Sequence, residues 1–347
     1  MSIAVVRTLP EEEWRRFVKE HPAGNVFHTP EMFEVFRCTK GHCPELWAAA
    51  EDGRVLALLL PVRITLMGGV LRCFSTRAVV YGSVLCAPGA EGKQALALLL
   101  RTYTREVGGF PLFTELRNLS SLETLQPTLN ECDFVYEDHL NYLIDLDRPP
   151  EEILQSIGRR TSKHIRRGFR RGEVIIEEVK DREQVAACYD LLRKTYQAAR
   201  IPLADRSLFE AAFALLYPKG MVRFTLASVG QAPVAVSVEL LYKDVVYGWA
   251  GGMDRDYSSY MPNELLMWHI LEWGAENGYR VYDFGGAGKP DEEYGPREFK
   301  AKFGGDLVCY GRNTYVHSQA RLMLSKLGYV IYRALPMKSP DTRLQVE

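Results

Sequence analysis

The chain has 347 residues, of which 47% are hydrophobic and 25% are charged, so it can build two domains with sizeable cores and is not disordered throughout. Its 43 Lys and Arg balance 44 Asp and Glu, which excludes a globally basic nucleic-acid-binding protein but allows a local basic patch. Seven scattered cysteines without a CxxC spacing exclude a disulfide scaffold and a zinc site. The N-terminus does not resemble a signal peptide, and no apolar run reaches the roughly 20 residues that span a bilayer, so we expect a cytoplasmic protein.

The first half of the chain is strand-rich and then helical. Short apolar runs are separated by turn residues around Gly53 and at 67–69, a pattern typical of antiparallel strands. A longer run with helical periodicity follows, and then one more apolar strand. The predicted elements are strands at 46–50, 54–66 and 70–74, a helix at 91–107 and a strand at 111–117.

The same order of elements recurs in the second half at a nearly constant spacing. The predicted elements there are strands at 222–229, 234–242 and 245–250, a helix at 263–277 and a strand at 280–284. This recurrence predicts an α+β fold of two similar domains. A Pro-Pro pair at 149–150 marks the expected hinge. The predicted boundaries are 1–147 for domain one, 148–317 for domain two and 318–347 for a C-terminal helix and tail.

The segment 318–335 has the spacing of a basic amphipathic helix. Leu322, Leu324 and Leu327 supply apolar residues, and Arg321 and Lys326 lie among them. The sequence allows two interpretations, a helix that packs on the protein and a helix that contacts an anionic membrane surface. The second would place the protein at the inner face of the membrane.

A basic run without any acidic residue occupies 153–172. Helical spacing places Ile165 and Phe169 four residues apart as an apolar anchor, with cations around them. Such a density of like charge is relieved by phosphate, which arginine binds with charge-assisted hydrogen bonds. The alternative is a solvated face paired with nearby glutamates. The candidate phosphate-binding residues are Arg159, Arg160, Lys163, Arg166, Arg167, Arg170 and Arg171.

A glycine-rich loop follows the last predicted strand. It is not a nucleotide P-loop, because Pro290 follows Lys289 where Ser or Thr is required, and it has no GxGxxG pattern. Glycines at 285 and 286 still allow the backbone to approach a ligand closely. Beyond the loop, 297–303 is expected to form a helical turn with Phe299 and Phe303 on one face. The candidate substrate-binding residues of this region are Gly285, Gly286 and Arg297.

Four segments in this order resemble the FemABX aminoacyl-transferases, and more broadly the BioF2-like acetyltransferases. They are DHLNYLIDL (138–146), KHIRRGFRRG (163–172), YDFGG (282–286) and FKxxFGG (299–305). The resemblance implies two tandem GNAT-like acetyltransferase domains. It also implies that an aminoacyl group passes from aminoacyl-tRNA to an amine of a peptidoglycan precursor, without any cofactor or metal.

The resemblance assigns roles to particular residues. Phe299 and Lys300 match the Phe-Lys pair of the family, in which the lysine stabilises charge at the reacting ester. Arg37 is the cation nearest to the position of a family lysine that has no counterpart here, and the family aspartate of domain one falls at 115–117, where this chain reads ELR. The further implied substrate-binding residues are Arg206, Tyr257, Tyr260 and Glu264.

Amide formation by acyl transfer requires a free amine, a held ester or thioester and a stabilised oxyanion. Lys300 can supply the positive charge, and Asp283 and Glu239 are candidate proton acceptors, Glu239 because burial in its apolar strand would raise its pKa. The alternatives are that Asp283 caps the glycine loop and that Glu239 lies on the surface.

The donor distinguishes the functional hypotheses. Enzymes that bind acyl-CoA grip its pyrophosphate with a glycine-rich turn before a helix, and the corresponding segment 254–266 has no glycine. Only Gly89 and Gly92 in domain one weakly resemble such a turn. We therefore expect aminoacyl-tRNA as the donor. The alternatives are an acyl-CoA-dependent N-acyltransferase and a non-catalytic module that binds RNA or a membrane-linked assembly.

Overall fold

The computed structural model describes residues 2–334. The strands are β1 Ala4–Val6, β2 His42–Pro44, β3 Trp47–Glu51, β4 Arg54–Leu59, β5 Val62–Thr65, β6 Thr76–Tyr81, β7 Leu85–Cys86, β8 Phe113–Arg117, β9 Val135–Glu137, β10 Leu140–Asp145, β11 Val174–Glu178, β12 Val222–Val229, β13 Ala232–Tyr242, β14 Val245–Met253, β15 Val281–Asp283, β16 Asp306–Cys309 and β17 Arg312–Val316. The helices are α1 Glu11–Glu20, α2 Pro30–Arg37, α3 Gly89–Val107, α4 Gln126–Glu131, α5 Pro150–Ser156, α6 Arg159–Arg171, α7 Arg182–Ala199, α8 Arg206–Leu216, α9 Pro262–Glu276, α10 Gly295–Ala301 and α11 Gln319–Ala334.

The strands predicted in the second half agree with β12 to β15, whereas two predictions in the first half are wrong. The long strand at 54–66 is two strands, β4 and β5, because Pro61 has no N–H to continue a ladder. The strand at 70–74 is a 3-10 helix, Gly69–Phe74, which begins at a glycine with a φ of 60°. The strand of this region is β6, which pairs with β5 and β8.

The two halves of the chain exchange strands. A seven-stranded sheet has the order β11-β12-β13-β14-β15-β10-β16, and a six-stranded sheet has the order β2-β5-β6-β8-β17-β9. Strand β10 from the first half lies between β15 and β16, and β17 from the second half lies between β8 and β9. Each incoming strand covers an edge that would otherwise remain unpaired. The sheets therefore do not divide at the predicted boundaries 1–147 and 148–317.

The two halves also share a hydrophobic core. Helix α2 packs against α8, and Phe36 and Val79 of the first half belong to the same buried cluster as Phe209 and Val236 of the second. A second link is the ion-paired carboxylate of Glu31, which is contacted by Lys219 at 2.9 Å. Among residues 2–334 we find no helix long and apolar enough to cross a bilayer.

The seven-stranded sheet opens where its one parallel pair ends. Strands β14 and β15 pair only over 245–247 and 281–283, after which β14 continues to Met253 and β15 ends at Asp283. The glycine loop crosses this opening, and α10 returns over the loop. This arrangement positions the candidate site.

Candidate active site

Lys300 of α10 points into the glycine loop. Its Nζ donates hydrogen bonds to the carbonyl oxygens of Phe284, at 2.7 Å, and Gly286. Burial lowers the pKa of Lys300 to about 8, although the nearby Asp283 carboxyl opposes this shift. An ammonium group has three N–H donors, so two are used by the loop and one is left for a ligand.

Arg297, one helical turn before Lys300, holds the same loop. Its guanidinium donates to the carbonyl oxygens of Ala287, at 2.7 Å, and of Lys289 and Pro290. Arg297 was predicted to bind substrate, and in the structure its guanidinium contacts the backbone of the glycine loop. The two cations of α10 together bind five carbonyl groups between residues 284 and 290, which fixes the loop in one conformation.

Asp283 lies beneath the loop and caps it. Its Oδ1 accepts hydrogen bonds at 2.7 Å from the Gly285 N–H and from the Asn141 side-chain amide. The Asn141 Oδ1 in turn accepts the Gly286 N–H at 2.9 Å. Burial raises the pKa of Asp283, opposed by these hydrogen bonds and by Lys300. The geometry agrees with the capping alternative for this residue.

Asn141 was not among the predicted site residues, although it lies within the DHLNYLIDL segment. It reaches the loop because β10, on which it lies, is inserted beside β15. An amide between the apolar residues Leu140 and Leu143 was the one indication in the sequence, and the structure buries it. Its partner could not be inferred, because the pairing joins residues far apart in the chain.

The glycines at 285 and 286 allow the loop backbone to lie close to neighbouring residues of the protein. A Cβ on Gly285 would lie 2.9 Å from both the Tyr247 hydroxyl and the Gly248 carbonyl oxygen, and the φ of Gly285 is 74°. At Gly286 the nearest atom to such a Cβ is His139 Nε2, at 3.4 Å. Close approach of the backbone was predicted, and the neighbour is the sheet below the loop.

Glu239 is fully buried, so its predicted surface alternative is wrong. It lies opposite Arg223, whose guanidinium stacks over Trp273 of α9 at 4.2 Å, so Glu239 faces α9. Tyr282 belongs to the buried hydrophobic cluster that also contains the core residues of α9. Because successive side chains of a strand point to opposite faces, the next residue, Asp283, faces the other side of the sheet. The structure thus does not bring the two candidate proton acceptors together. Burial raises the pKa of Glu239 to about 8, with Ser237 donating to it.

The aromatic residues near the site support its framework. Phe299 packs against Phe303 with ring centroids 5.1 Å apart, as their spacing predicted. Tyr257 and Tyr260 lie in a 3-10 helix, Arg255–Tyr260, just before α9, with ring centroids 6.2 Å apart. Glu264, in the first turn of α9, contacts Lys302 of the segment after α10 at 3.7 Å.

Arg37 and Arg206 lie at the contact between α2 and α8. Arg37 is paired with Glu34 on its own helix at 2.6 Å, and Arg206 with Glu210 at 2.8 Å. Both are exposed at the place where the two domains meet. No contact among the described residues connects either of them with the glycine loop.

The basic helix α6 packs on α9 and leaves its cations outside. Ile165 and Gly168 are buried, and a Cβ on Gly168 would lie 2.6 Å from the Leu265 side chain. Phe169, predicted as an anchor, is instead exposed, because the closest approach of the helices falls at the glycine. An open cavity of about 340 Å³ is lined by Arg159, Lys163, Arg166 and Arg170 together with Gln155, Ile157 and Ser162.

Few of these cations are neutralised. Arg166 contacts Glu151 at 2.6 Å and Arg171 contacts Glu173 at 3.8 Å. Within residues 2–334, no ion pair involves the other five, which are Arg159, Arg160, Lys163, Arg167 and Arg170. The alternative interpretation, in which nearby glutamates pair with the cations, therefore applies to only two of the seven residues, Arg166 and Arg171.

The start of α6 touches the end of α10. The N–H of Gly158 donates to the Lys302 carbonyl oxygen at 3.1 Å. The basic helix therefore begins next to the segment that holds Lys300.

A second polar cavity, of about 310 Å³, lies between the two domains and beside the glycine loop. Its wall includes Glu115, which contacts Arg312 at 3.2 Å, and His139, which accepts a hydrogen bond from Arg312 at 2.9 Å. Burial would raise the pKa of Glu115, but Arg117 and Arg312 lower it to about 2. Burial and Arg312 lower the pKa of His139 to about 4. None of these residues was a predicted site residue, since they converge only through the exchanged strands.

The segments before α9 and α3 were compared with the glycine-rich turn that binds the pyrophosphate of acyl-CoA, and both differ from it. Helix α9 follows Met261, which has a φ of 54°, and begins with Pro262, which has no N–H to offer. Helix α3 begins at Gly89, but a Cβ on Gly92 would collide with the Ala87 carbonyl oxygen. Packing within the protein therefore accounts for Gly92.

Comparison with known proteins shows which class of fold the protein has. Residues 156–300 match the acetyltransferase (GNAT) domain family. The tandem GNAT protein from the clavulanic acid biosynthesis pathway has a similar structure, with a TM-score of 0.58 at 13% identity over 91% of this chain and 99% of that chain. The protein has a fold of two tandem GNAT-like domains. The recurrence of elements predicted two similar domains, and the family resemblance implied their GNAT-like fold.

A narrower similarity points to one group within this class. The crystal structure of FemX has a TM-score of 0.70 at 16% identity, covering 93% of this chain and 99% of that chain. The Lipid II:glycine glycyltransferase of Staphylococcus haemolyticus (strain JCSC1435) is 20% identical over 85% of this chain and 88% of that protein. These similarities confirm the predicted resemblance to FemABX-type transferases.

Proposed function

We propose that this protein is an acyl- or aminoacyl-transferase that forms an amide bond, with aminoacyl-tRNA as the donor and an amine of a cell-envelope precursor as the acceptor. The observation that carries the proposal is the half-buried Lys300 ammonium at the opening between β14 and β15. Two of its donors are fixed by the loop, and the third is free for the carbonyl oxygen of a bound ester.

The reaction needs no covalent enzyme intermediate. The acceptor nitrogen attacks the ester carbonyl carbon, the carbonyl oxygen becomes an oxyanion, and the carbon–oxygen ester bond then breaks. The oxyanion collapses, the departing alkoxide takes up the proton that the amine loses, and the products are the amide and a free hydroxyl group. Lys300 stabilises the oxyanion, and Arg297, Asp283 and Asn141 hold the loop that orients Lys300.

The donor assignment rests on two features. The unpaired cations of α6 offer a phosphate-binding surface, and this helix begins beside Lys302, two residues after Lys300. A nucleic acid held on α6 would therefore have its acylated end near the proposed catalytic lysine. The starts of α3 and α9 offer little to a CoA pyrophosphate, which disfavours acyl-CoA.

The acceptor assignment follows the relatives. The S. haemolyticus protein is described as a Lipid II:glycine glycyltransferase, and we extend that class of acceptor, an amine on a cell-envelope precursor, to this chain. Such a reaction takes place in the cytoplasm, at the inner face of the membrane when the precursor is lipid-linked. The predicted membrane contact through 318–334 belongs to this proposal, and residue 335 lies outside the described residues.

The test is transfer in solution with the full chain. Aminoacyl-tRNA and acyl-CoA are supplied in parallel to a peptidoglycan-precursor peptide with a free amine, and the amide product is measured by mass spectrometry. We expect product from aminoacyl-tRNA that depends on Lys300. Product from acyl-CoA alone would replace the proposal by the N-acyltransferase alternative, and tRNA binding without any product would favour the non-catalytic RNA-binding module.

Binding of tRNA is tested separately through its salt dependence. Lys163→Gln with Arg170→Gln should weaken retention and reduce the slope of log K against log salt by about one unit per lost phosphate contact. Arg171→Gln is the matched control, because Arg171 is paired with Glu173. An unchanged slope in the double variant would leave α6 as a solvated face.

A further inference from the structure

An apolar surface that the transfer reaction does not use lies on the outer side of α11. The helix is attached to the protein by Ser325, whose hydroxyl donates to the Phe74 carbonyl oxygen at 2.7 Å. Its opposite face carries Met323, Leu324 and Leu327, which are 69%, 57% and 58% exposed. The helix therefore turns three large apolar side chains away from the core, the reverse of an ordinary packing helix.

The 66–74 turn, which α11 contacts, also exposes large apolar side chains. Leu66 and Leu71 are both 52% exposed, and Met67 is exposed between them. The turn contacts α11 through Arg321, whose guanidinium donates to the Cys73 carbonyl oxygen at 3.5 Å. We use the name apolar patch for the exposed apolar side chains of this turn and of α11 together with Phe110, which are Leu66, Met67, Leu71, Phe110, Met323, Leu324 and Leu327.

Phe110 lies next to the 66–74 turn, because it contacts Arg72 of that turn. The guanidinium of Arg72 stacks over the Phe110 ring at 4.9 Å. Seven exposed large apolar side chains on a neighbouring turn, loop and helix are typical of a surface that contacts something outside the molecule.

The two stretches that supply six of the seven patch residues carry cations and no acidic residue. No acidic residue occurs in 54–90 or in 307–340, the two stretches that supply most of the patch, although the chain as a whole has a net charge of -1. Arg72, Arg321 and Lys326 lie within or beside the patch, and among the described residues none of them forms an ion pair. A basic fringe around an apolar centre matches an interface with anionic headgroups above acyl chains.

We propose that the apolar patch docks the protein on an anionic phospholipid bilayer, with the 66–74 turn as a membrane-contacting element beside α11. A second copy of the chain fits less well, because a twofold contact would bring the same cations against one another. An acidic protein partner would have to supply both carboxylates and a large apolar face. This inference rests on the membrane contact proposed above for 318–334 and deepens it, because it adds the 66–74 turn and the lipid chemistry that the contact requires. Docking itself requires neither donor nor acceptor.

The experiment is co-sedimentation of the full chain with vesicles. We expect the protein to pellet with phosphatidylcholine vesicles that contain phosphatidylglycerol, to bind pure phosphatidylcholine vesicles much less, and to be released by salt. Leu71→Glu and, separately, Leu324→Glu with Leu327→Glu should each reduce binding by about tenfold or more. Ile175→Glu, at an equally exposed isoleucine on β11, is the matched control and should leave binding unchanged.

Folding of each variant is checked by its melting temperature, and its turnover on a soluble acceptor should be unchanged. This readout separates the two proposals, since a protein without transferase activity can still bind vesicles and an active one can fail to bind. If the wild-type chain remains in the supernatant with anionic vesicles at low salt, docking is refuted. A dimer that dissociates in the Leu324→Glu, Leu327→Glu variant, without vesicle binding, would reassign the patch to self-association.

Discussion

The two exchanged strands place an asparagine at the same kind of position in each domain, but with different partners. In the six-stranded sheet, Asn313 of β17 accepts a hydrogen bond at 3.0 Å from Asn118, just after β8. In the seven-stranded sheet, Asn141 of β10 donates at 2.7 Å to Asp283, at the end of β15. The first pair is neutral and structural. In the second pair the Asn141 amide contacts a carboxyl that lies near the Lys300 ammonium, so the exchanged asparagine has a carboxyl partner in only one of the two domains.

The largest expected effect concerns this charge. Lys300→Met should keep the fold and tRNA binding but reduce turnover by about 10²–10³, the usual cost of one lost donor at an oxyanion. The measurement is kcat for amide formation under saturating donor. Lys302→Met, two residues on and paired with Glu264 at 3.7 Å, is the control and should change turnover little. Equal losses in both variants would mean that α10 acts only as a support.

The second expected effect is a pH dependence confined to Lys300. Its pKa is lowered to about 8, so the ammonium that stabilises the oxyanion is lost as the pH rises above about 8. Turnover should then fall by about tenfold per pH unit relative to Lys300→Arg, whose charge does not titrate in this range. Because the pKa of Lys300 in the folded protein lies below its usual value of 10.5, the charged lysine lowers the free energy of unfolding at neutral pH. This destabilisation disappears as the pH approaches 10.5. A parallel pH profile in both proteins would contradict the assignment.

A smaller effect is expected when Asn141 and Asn313 are replaced and the two variants are compared. Asn141→Ala and Asn313→Ala each leave buried polar groups without a partner, and each should lower the free energy of unfolding by about 1–3 kcal/mol. Only Asn141→Ala should also lower kcat at a temperature where both variants remain folded, because only Asn141 supports the loop of Lys300. Denaturant melts and steady-state kinetics on the same preparations provide both numbers. If Asn313→Ala lowers kcat to the same degree, the domains contribute equally to the site.

Much of the second half of the fold was predictable, because apolar runs and turns at Gly230 and 243–244 define β12 to β14 locally. The Phe299–Phe303 contact was predictable for the same reason. The strand exchange was not, since it depends on pairs such as Leu143 with Asp283 that lie far apart in the chain.

The site was predicted unevenly. Lys300 was selected through the family resemblance, and the structure places it against the glycine loop. The separation of Glu239 from Asp283 depends on which face of the sheet each residue occupies. A one-residue change of register reverses that face, and the β-bulge next to Glu239 is not visible in the sequence.

The exchange of β10 and β17 also constrains how the protein can be made. During synthesis the six-stranded sheet keeps a gap between β8 and β9 until residue 316 has emerged, because β17 follows the other five strands of this sheet in the sequence. The two halves therefore cannot mature one after the other on the ribosome, as independent domains do. Folding must end with a late, long-range closure that completes the six-stranded sheet, and the nascent chain has an open strand edge until then.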